Sequence, residues 1–400
     1  MRILICAHDA PMGPVNGFRL HLSALIRELS REHQVRVLAF RHPDQDDSPA
    51  GDVDARWVRG PSTGMMGKAV ALPRAMFQRR PLGVSELAER LRGPLREELV
   101  AFRPDVVHVT TQKLALLGPE MAGRASVLAA LDAWHRTVEA DIDVAGGFLR
   151  VLLRWQLAWV RRLEATGLRG FGRVVVVSNE DREALLAVDP SLPIEVIPNG
   201  VDADWFAPPI SPPDPTGIPQ PDTDRVVFTG VMSYSPNIAA AEFLARRVMP
   251  RVREARASAR LAIVGREPSP AVTALRELPG VEVVGGVPDL RPWLWGSGVY
   301  ACPMVSGTGI KNKLLEAMAA GAATVVTPRA LQGIRARPNE EVLIGSTEAE
   351  LADQIVRVLT DERLAAALGA AARDYVRKEH SWTSMADAYE RVYTEVRGRP

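Results

Sequence analysis

The residues best suited to chemistry lie in one stretch, CPMVSGTGIKNKLLEAMAAG, at positions 302–321. Two glycines, Gly307 and Gly309, follow an apolar run. The spacing then predicts a helix from about Ile310. Glycines let a ligand approach the backbone closely, and the free N–H groups of a first helical turn form an anion site. Lys311 and Lys313 add positive charge there, where the helix dipole alone disfavours it. The chain has only five lysines (the others are Lys68, Lys113 and Lys378), so two of them at this point suit a bound anion.

Glu316 stands three residues beyond Lys313, on the same helical face. From Ala317 to Pro328 there is no charged residue, so the rest of the helix reads as buried. A carboxylate in such a place needs hydrogen-bonding partners, and ribose hydroxyls would supply them. The plainer alternative is a Lys313–Glu316 surface pair over an ordinary strand–helix turn. Other phosphate sites do not fit the letters. No GxxxxGK[ST] occurs, GTGIKN ends in Asn312 where GxGxxG needs glycine, and no acid lies between Glu316 and Glu340 to hold a dinucleotide ribose. HExxH and GxSxG are also absent.

Two residues in the first half qualify as candidate catalytic groups. Asp132 closes a predicted strand and is read as a substrate contact or as a helix cap, since Asp serves both. His135 follows it by three. His108, inside a valine-rich run, reads as a satisfied core histidine. Asp141/Asp143 and Asp202/Asp204 have DxD spacing but read as solvated loop and turn chemistry.

The elements that must position these groups are strands alternating with amphipathic helices. Strands are predicted at 3–7, 35–40, 106–109, 127–131, 174–177 and 195–197. They resume at 226–229, 261–264, 281–284, 299–302 and 324–326. Continuous apolar runs of this kind suit strands buried on both faces of a parallel sheet. Residues 208–221 hold seven prolines in fourteen positions, which exclude helix and interior strand. The expected organisation is an N-terminal domain at 1–207, a linker at 208–222 and a C-terminal domain at 223–380. The last helix, 381–400, is expected to pack back on the N-terminal domain. The fold class is α/β, two doubly wound Rossmann-like domains facing a cleft, with ligands at strand carboxyl ends.

Composition narrows the functional classes. Lys and Arg number 49 against 48 Asp and Glu, a net charge of +1, without the basic excess of a nucleic-acid binder. No apolar run nears the ~18 residues of a membrane span, and the N-terminus lacks a signal-peptide pattern. A cytoplasmic location is expected, with the inner membrane face as its one membrane contact. Two cysteines, Cys6 and Cys302, exclude a disulfide framework. Residues 148–163, FLRVLLRWQLAWVRRL, could form an interfacial helix, but a core helix with a solvated face is the preferred reading.

Taken together, the strings PMGPVNGF (11–18), RPDVVHV (103–109), IPNGVD (197–202), FTGVMSYSPN (228–237), LAIVG (261–265), VVGGVPDL (283–290) and KLLEAMAAGAATVV (313–326) resemble the retaining glycosyltransferases of family 4. The resemblance covers nearly the whole chain. It implies the GT-B fold and transfer of a sugar from a nucleoside-diphosphate sugar to a glycan, lipid or small-molecule acceptor. The donor would lie in the C-terminal domain and the acceptor in the N-terminal domain, with no metal or other cofactor and no nucleic-acid partner. Glu316 matches the second glutamate of the family's Glu, seven residues, Glu motif, which holds the ribose. Val287 matches a backbone contact to the base, and Gly17 the loop glycine near the diphosphate. Gly230, Thr308, Gly309, Ile310, Lys311 and Lys313 complete the implied donor site. The pattern departs at Thr308, where the first glutamate is expected, and after Gly230, where Val231 and Asn237 replace the usual Arg and Lys. The histidine that often follows the strand at 127–131 is replaced by Asp132, with His135 three residues on. An epimerase of the same fold, or a nucleotide-sugar binder without turnover, are the alternative readings.

Overall fold

The computed structural model describes residues 1–11, 17–41, 53–60, 73–209, 221–307 and 309–398. Thr308 and most of the proline-rich linker (210–220) lie outside the described residues. The chain forms two compact units, Met1–Pro198 with Met385–Pro400, and Asn199–Ser384.

In the first unit a parallel sheet is built from β1 (Arg2–Ala7), β2 (Gln34–Arg41), β3 (Ala55–Arg59), β4 (Val106–Val109), β5 (Ser126–Leu131), β6 (Arg173–Val176) and β7 (Ile194–Val196). Their order is β3-β2-β1-β4-β5-β6-β7, with Ile5 opposite both Val37 and His108. Successive residues Ile3 to Ala7 are all fully buried, because helices cover both faces. The short β3 was not expected; its residues are half-buried and carry arginines, so it lacks the apolar run that marks the inner strands. The last helix, Trp382–Arg397, buries Tyr389 and Tyr393 here, and the Tyr393 hydroxyl hydrogen-bonds with His108 Nδ1 at 2.6 Å. Burial pushes the His108 pKa down to about 3.

The second unit holds β8 (Asp222–Thr229), β9 (Arg260–Val264), β10 (Val281–Gly285), β11 (Ser297–Cys302), β12 (Thr324–Val326) and β13 (Leu343–Ile344). This sheet too is parallel, in the order β10-β9-β8-β11-β12-β13. The unexpected β13 is two residues long, too short to show a pattern. Residues 199–207, expected with the first domain, pack with this unit instead. Val201 bridges Ser381, Trp295 Nε1 donates to Phe206 O at 2.7 Å, and the Arg291 guanidinium lies 3.7 Å from the Trp205 ring centre.

The arginine-rich stretch read from the sequence as a core helix forms the helix Gly147–Gly167 in the first unit. That reading holds for its second half, where Val160 and Leu163 are buried. Its first half is a departure: Phe148 is 79% exposed, Leu149 54%, and Val151 and Trp155 48% each. No helix of the described residues is long and apolar enough to cross a membrane.

Candidate functional site

The order of each sheet reverses direction at one pair of neighbouring strands, β1 and β4 in the first unit, β8 and β11 in the second. Ligands of open α/β sheets bind beyond the carboxyl ends of such strands. In the second unit these ends are Thr229 and Cys302, and the residues that follow them are Gly230 and the loop 303–311.

The loop turns through two left-handed glycines, Gly307 at φ 93° and Gly309 at φ 72°, conformations that a side chain disfavours. It leads into the helix Asn312–Ala319, two residues later than the sequence suggested. Leu314 and Leu315 both donate to the Lys311 carbonyl, and no side chain caps the helix. The Asn312 and Lys313 N–H groups have no acceptor among the described residues, leaving the open donors that an anion needs. Ile310 lies just before the helix and packs on the core. At the neighbouring strand end, a side chain on Gly265 would overlap Gly230 O, 1.7 Å from its Cβ, so these two backbones pass in direct contact.

The two lysines do different things. Lys311 is buried, and its Nζ donates back to Gly309 O at 2.6 Å, with Gly307 O at 3.4 Å, bracing the glycine loop. Lys313 reaches across to the β8 end. Its Nζ donates to Asn237 Oδ1, lies 3.6 Å from Met304 Sδ, and sits 4.8 Å from the centre of the Phe228 ring. Burial lowers its pKa. Asn237 is itself held by donation from Nδ2 to Val231 O at 2.9 Å. Glu316 has neither a hydrogen bond nor a salt bridge among the described residues, so the Lys313–Glu316 pair of the plainer reading does not form. Desolvation raises its carboxyl to about pKa 7, against the opposing pull of the Lys313 charge.

Val287 follows β10 in a loop, packed against the core of this unit and with no backbone hydrogen bond among the described residues. Gly17 belongs to the first unit. It is exposed and opens the helix Gly17–Leu29, and the preceding loop residues 12–16 lie outside the described residues.

Asp132 follows β5 at its carboxyl end, directly after Leu131, whose φ of 69° is a rare value for a branched side chain. Strain of this kind persists only where surrounding structure enforces it. The Asp132 carbonyl accepts from Gln112 Nε2 at 2.9 Å, and its carboxylate meets Thr137 Oγ1 at 3.5 Å. Its pKa rises to about 6, first through burial, then through the nearby Asp181 charge. Asp132 does not cap the helix Trp134–Val144. Ala133 stands at the cap position, its N–H donates to Asp181 Oδ1 at 3.1 Å, and the His135 N–H donates to Glu164 Oε1 at 3.2 Å. His135 is buried, and its Nδ1 lies 2.7 Å from Glu164 Oε2.

Of the departures from the family pattern, Asn237 has a role as the partner of Lys313. Glu164 and Asp181 were not singled out from the sequence at all. The signal for Glu164 was there: it is the first acid after a long acid-free run that begins at Val144. Asp202 accepts from Trp205 N at 2.9 Å, which is turn chemistry, whereas Asp141 and Asp143 lie on a helix rather than in a loop. Among the described residues no three ligand-type side chains gather as a metal site requires.

Comparison with known proteins adds a second line of observation. A family model described as Glycosyltransferase Family 4 matches residues 15–205, and one described as Glycosyl transferases group 1 matches residues 223–361. No curated protein matches the sequence. Among solved structures, sucrose-phosphate synthase from Thermosynechococcus elongatus superposes with a TM-score of 0.71 at 17% identity, covering 99% of this chain and 98% of its own. Anabaena HepE in complex with UDP gives 0.65 at 14%, covering 99% and 100%. WaaG, a glycosyltransferase involved in lipopolysaccharide biosynthesis, gives 0.63 at 16%, covering 98% and 99%. At these identities the likeness is one of fold, and the fold is GT-B, two Rossmann-like units in one chain.

Proposed function

Because the chain belongs to the family 4 glycosyltransferases, we propose that it transfers a sugar from a nucleoside-diphosphate sugar to a hydroxyl acceptor with retention at the anomeric carbon. The observation that carries this reading is the Glu316 carboxylate, which has no hydrogen bond or salt bridge among the described residues, one turn into a helix whose first N–H groups also lack an acceptor among them, beyond the switch point of the second sheet. A carboxylate, open N–H donors and a lysine in that order fit ribose and diphosphate. The UDP bound by HepE is the same ligand class.

In this proposal Glu316 accepts the ribose hydroxyls and the Val287 backbone meets the base. Lys313, the helix N-terminus and the Gly307–Gly309 turn hold the diphosphate, with Gly230 and Ile310 shaping the floor. Lys311 acts through the loop it braces. No metal is assigned, since the positive charge at the diphosphate comes from Lys313 and the helix end.

Acceptor binding falls to the first unit, where Asp132 and His135 would orient hydroxyls. Retention without an enzyme nucleophile is served by front-face attack, in which the leaving phosphate takes the acceptor proton as the glycosidic bond to the phosphate breaks. That route asks the protein for charge stabilisation at the diphosphate rather than for a covalent carboxylate. The exposed apolar and arginine-bearing half of helix Gly147–Gly167 favours an acceptor presented at an anionic membrane face.

A thermal-shift screen of UDP, GDP, dTDP and ADP, followed by incubation with the matching radiolabelled donor sugars, tests the reading. Transfer or slow hydrolysis of a donor is the expected result. Isomerisation of the donor would indicate an epimerase, and binding without turnover a nucleotide-sugar binder in which Thr308 has cost the activity.

A further inference from the structure

Glu164 is fully buried, and among the described residues no lysine or arginine pairs with it. Both of its carboxylate oxygens serve a single residue: Oε1 accepts from the His135 backbone N–H at 3.2 Å, and Oε2 lies 2.7 Å from His135 Nδ1. A carboxylate accepts and does not donate, so Nδ1 must carry the hydrogen. The backbone contact fixes where the residue sits and the ring contact fixes how the imidazole turns. The other ring nitrogen, Nε2, has no protein partner among the described residues, and the side chain keeps 8% of its surface exposed.

The neighbourhood agrees with a site held ready for a ligand. Asp132 and Asp181 lie close enough to feel one another's charge, and the Glu164 charge also reaches Asp132. Leu131, the last residue of β5, is held left-handed. Two helix-opening N–H groups, those of Ala133 and His135, are satisfied by carboxylates from other helices rather than by a local cap. The helix start that carries His135 is therefore clamped from two sides.

We propose that Glu164 is a positioning residue: it holds His135 as the Nδ1–H tautomer so that Nε2 presents a lone pair to a substrate hydroxyl. A second carboxylate or carbonyl fixing the far nitrogen of a working imidazole is the general way a ring tautomer is set. This inference rests on the assignment of His135 to the acceptor-binding unit, and it deepens that assignment by naming the atom and what orients it.

The test does not depend on finding the substrate. In the full-length protein, nitrogen NMR of ¹⁵N-histidine, with His135→Gln used to assign the signal, should show Nδ1 protonated and Nε2 bare once the ring is titrated to its neutral form. Glu164→Gln keeps the shape and an oxygen for the backbone N–H but offers an amide donor to Nδ1, so the ring should switch to Nε2–H. Diethyl pyrocarbonate, which acylates an accessible bare imidazole nitrogen, should modify His135 in the wild type and about tenfold more slowly in Glu164→Gln, as expected for loss of one charged hydrogen bond. A wild-type ring protonated at Nε2, an unchanged tautomer in a folded Glu164→Gln protein, or no modification of wild-type His135 would each overturn the proposal. If the tautomer behaves as stated and no donor sugar is ever turned over, the positioning role stands and the glycosyl-transfer reading fails.

Discussion

Lys313 and Glu316 lie one helical turn apart and do not pair. Lys313 Nζ turns to Asn237 Oδ1 and the Phe228 ring, and Glu316 is left with neither a hydrogen bond nor a salt bridge among the described residues. Both groups are buried, and a buried carboxylate without a partner is unfavourable. What the missing pair leaves is a desolvated carboxylate one turn into a helix without a side-chain cap, which under the proposed reading a bound ribose would satisfy.

Replacing Glu316 with Ala should weaken nucleoside-diphosphate binding by roughly 2–3 kcal/mol, the scale of a hydrogen bond to a charged group. The pH dependence follows from its pKa of about 7 in the free protein. The ionised form accepts ribose hydroxyls, so affinity for the matching nucleoside should fall as pH drops below 7 and level off above it. Calorimetry at pH 6 and 8 checks this; a Glu316→Gln variant should lose the dependence, and an unchanged affinity in folded Glu316→Ala protein removes the ribose role.

Lys313 and Asn237 should behave as a unit. Lys313→Met should cut affinity for the diphosphate at least tenfold while sparing the free nucleoside, since its charge would act on the phosphates. Asn237→Ala frees the ammonium without removing it and should cost less. Lys311→Met should harm both ligands through the loop that it braces. Equal losses for both ligands in Lys313→Met would place that lysine away from the phosphates.

Asp132 does not compete for the cap, because Asp181 and Glu164 satisfy the helix N–H groups. Asp132→Asn should therefore lower turnover more than tenfold with donor affinity nearly intact, and the pH profile of turnover should lose a group near pH 6. Its raised pKa means that the folded protein holds this proton more tightly than the unfolded chain. Stability should thus fall by up to roughly 3 kcal/mol as pH rises from about 4 to 6, a loss absent from Asp132→Asn. Wild-type turnover in this variant would empty the assignment.

His108 offers a test of the core. Its pKa of about 3 lies below the unfolded value, so the unfolded chain binds the proton first. Stability should be unaffected by this group above pH 6.5 and fall as pH drops, by roughly 2 kcal/mol between pH 6.5 and 5. Urea melts at these two pH values should show a smaller difference in His108→Leu than in the wild type. An equal difference in both would mean that some other group sets the acid sensitivity.

The exposed half of helix Gly147–Gly167 should bind anionic lipid. Cosedimentation with phosphatidylglycerol vesicles should exceed that with phosphatidylcholine, weaken with added salt, and drop several-fold in a Phe148→Ser, Trp155→Ser double variant. Binding that ignores both lipid charge and these substitutions would return the face to ordinary solvent exposure.

The strand positions were legible in the letters because strands buried on both faces must be apolar throughout. Val106–Val109 and Thr324–Val326 appear where their valine-rich runs predicted them. The glycine turn and the helix start that follows it were legible as well, because left-handed backbone favours glycine and the periodic apolar run marks a helix. Strands β3 and β13 were not, one being polar and half-buried and the other only two residues long. Partnership was decided by tertiary structure alone. Lys313 could equally have met Glu316 by spacing, and it meets Asn237, 76 residues away, because β8 and β11 are neighbours in the sheet. Glu164 lies 29 residues from His135, and only the packing of two helices puts its carboxylate on that ring. Local sequence determines what a residue can do within a turn or a strand, whereas hydrogen bonds across such separations exist only once the chain has closed on itself.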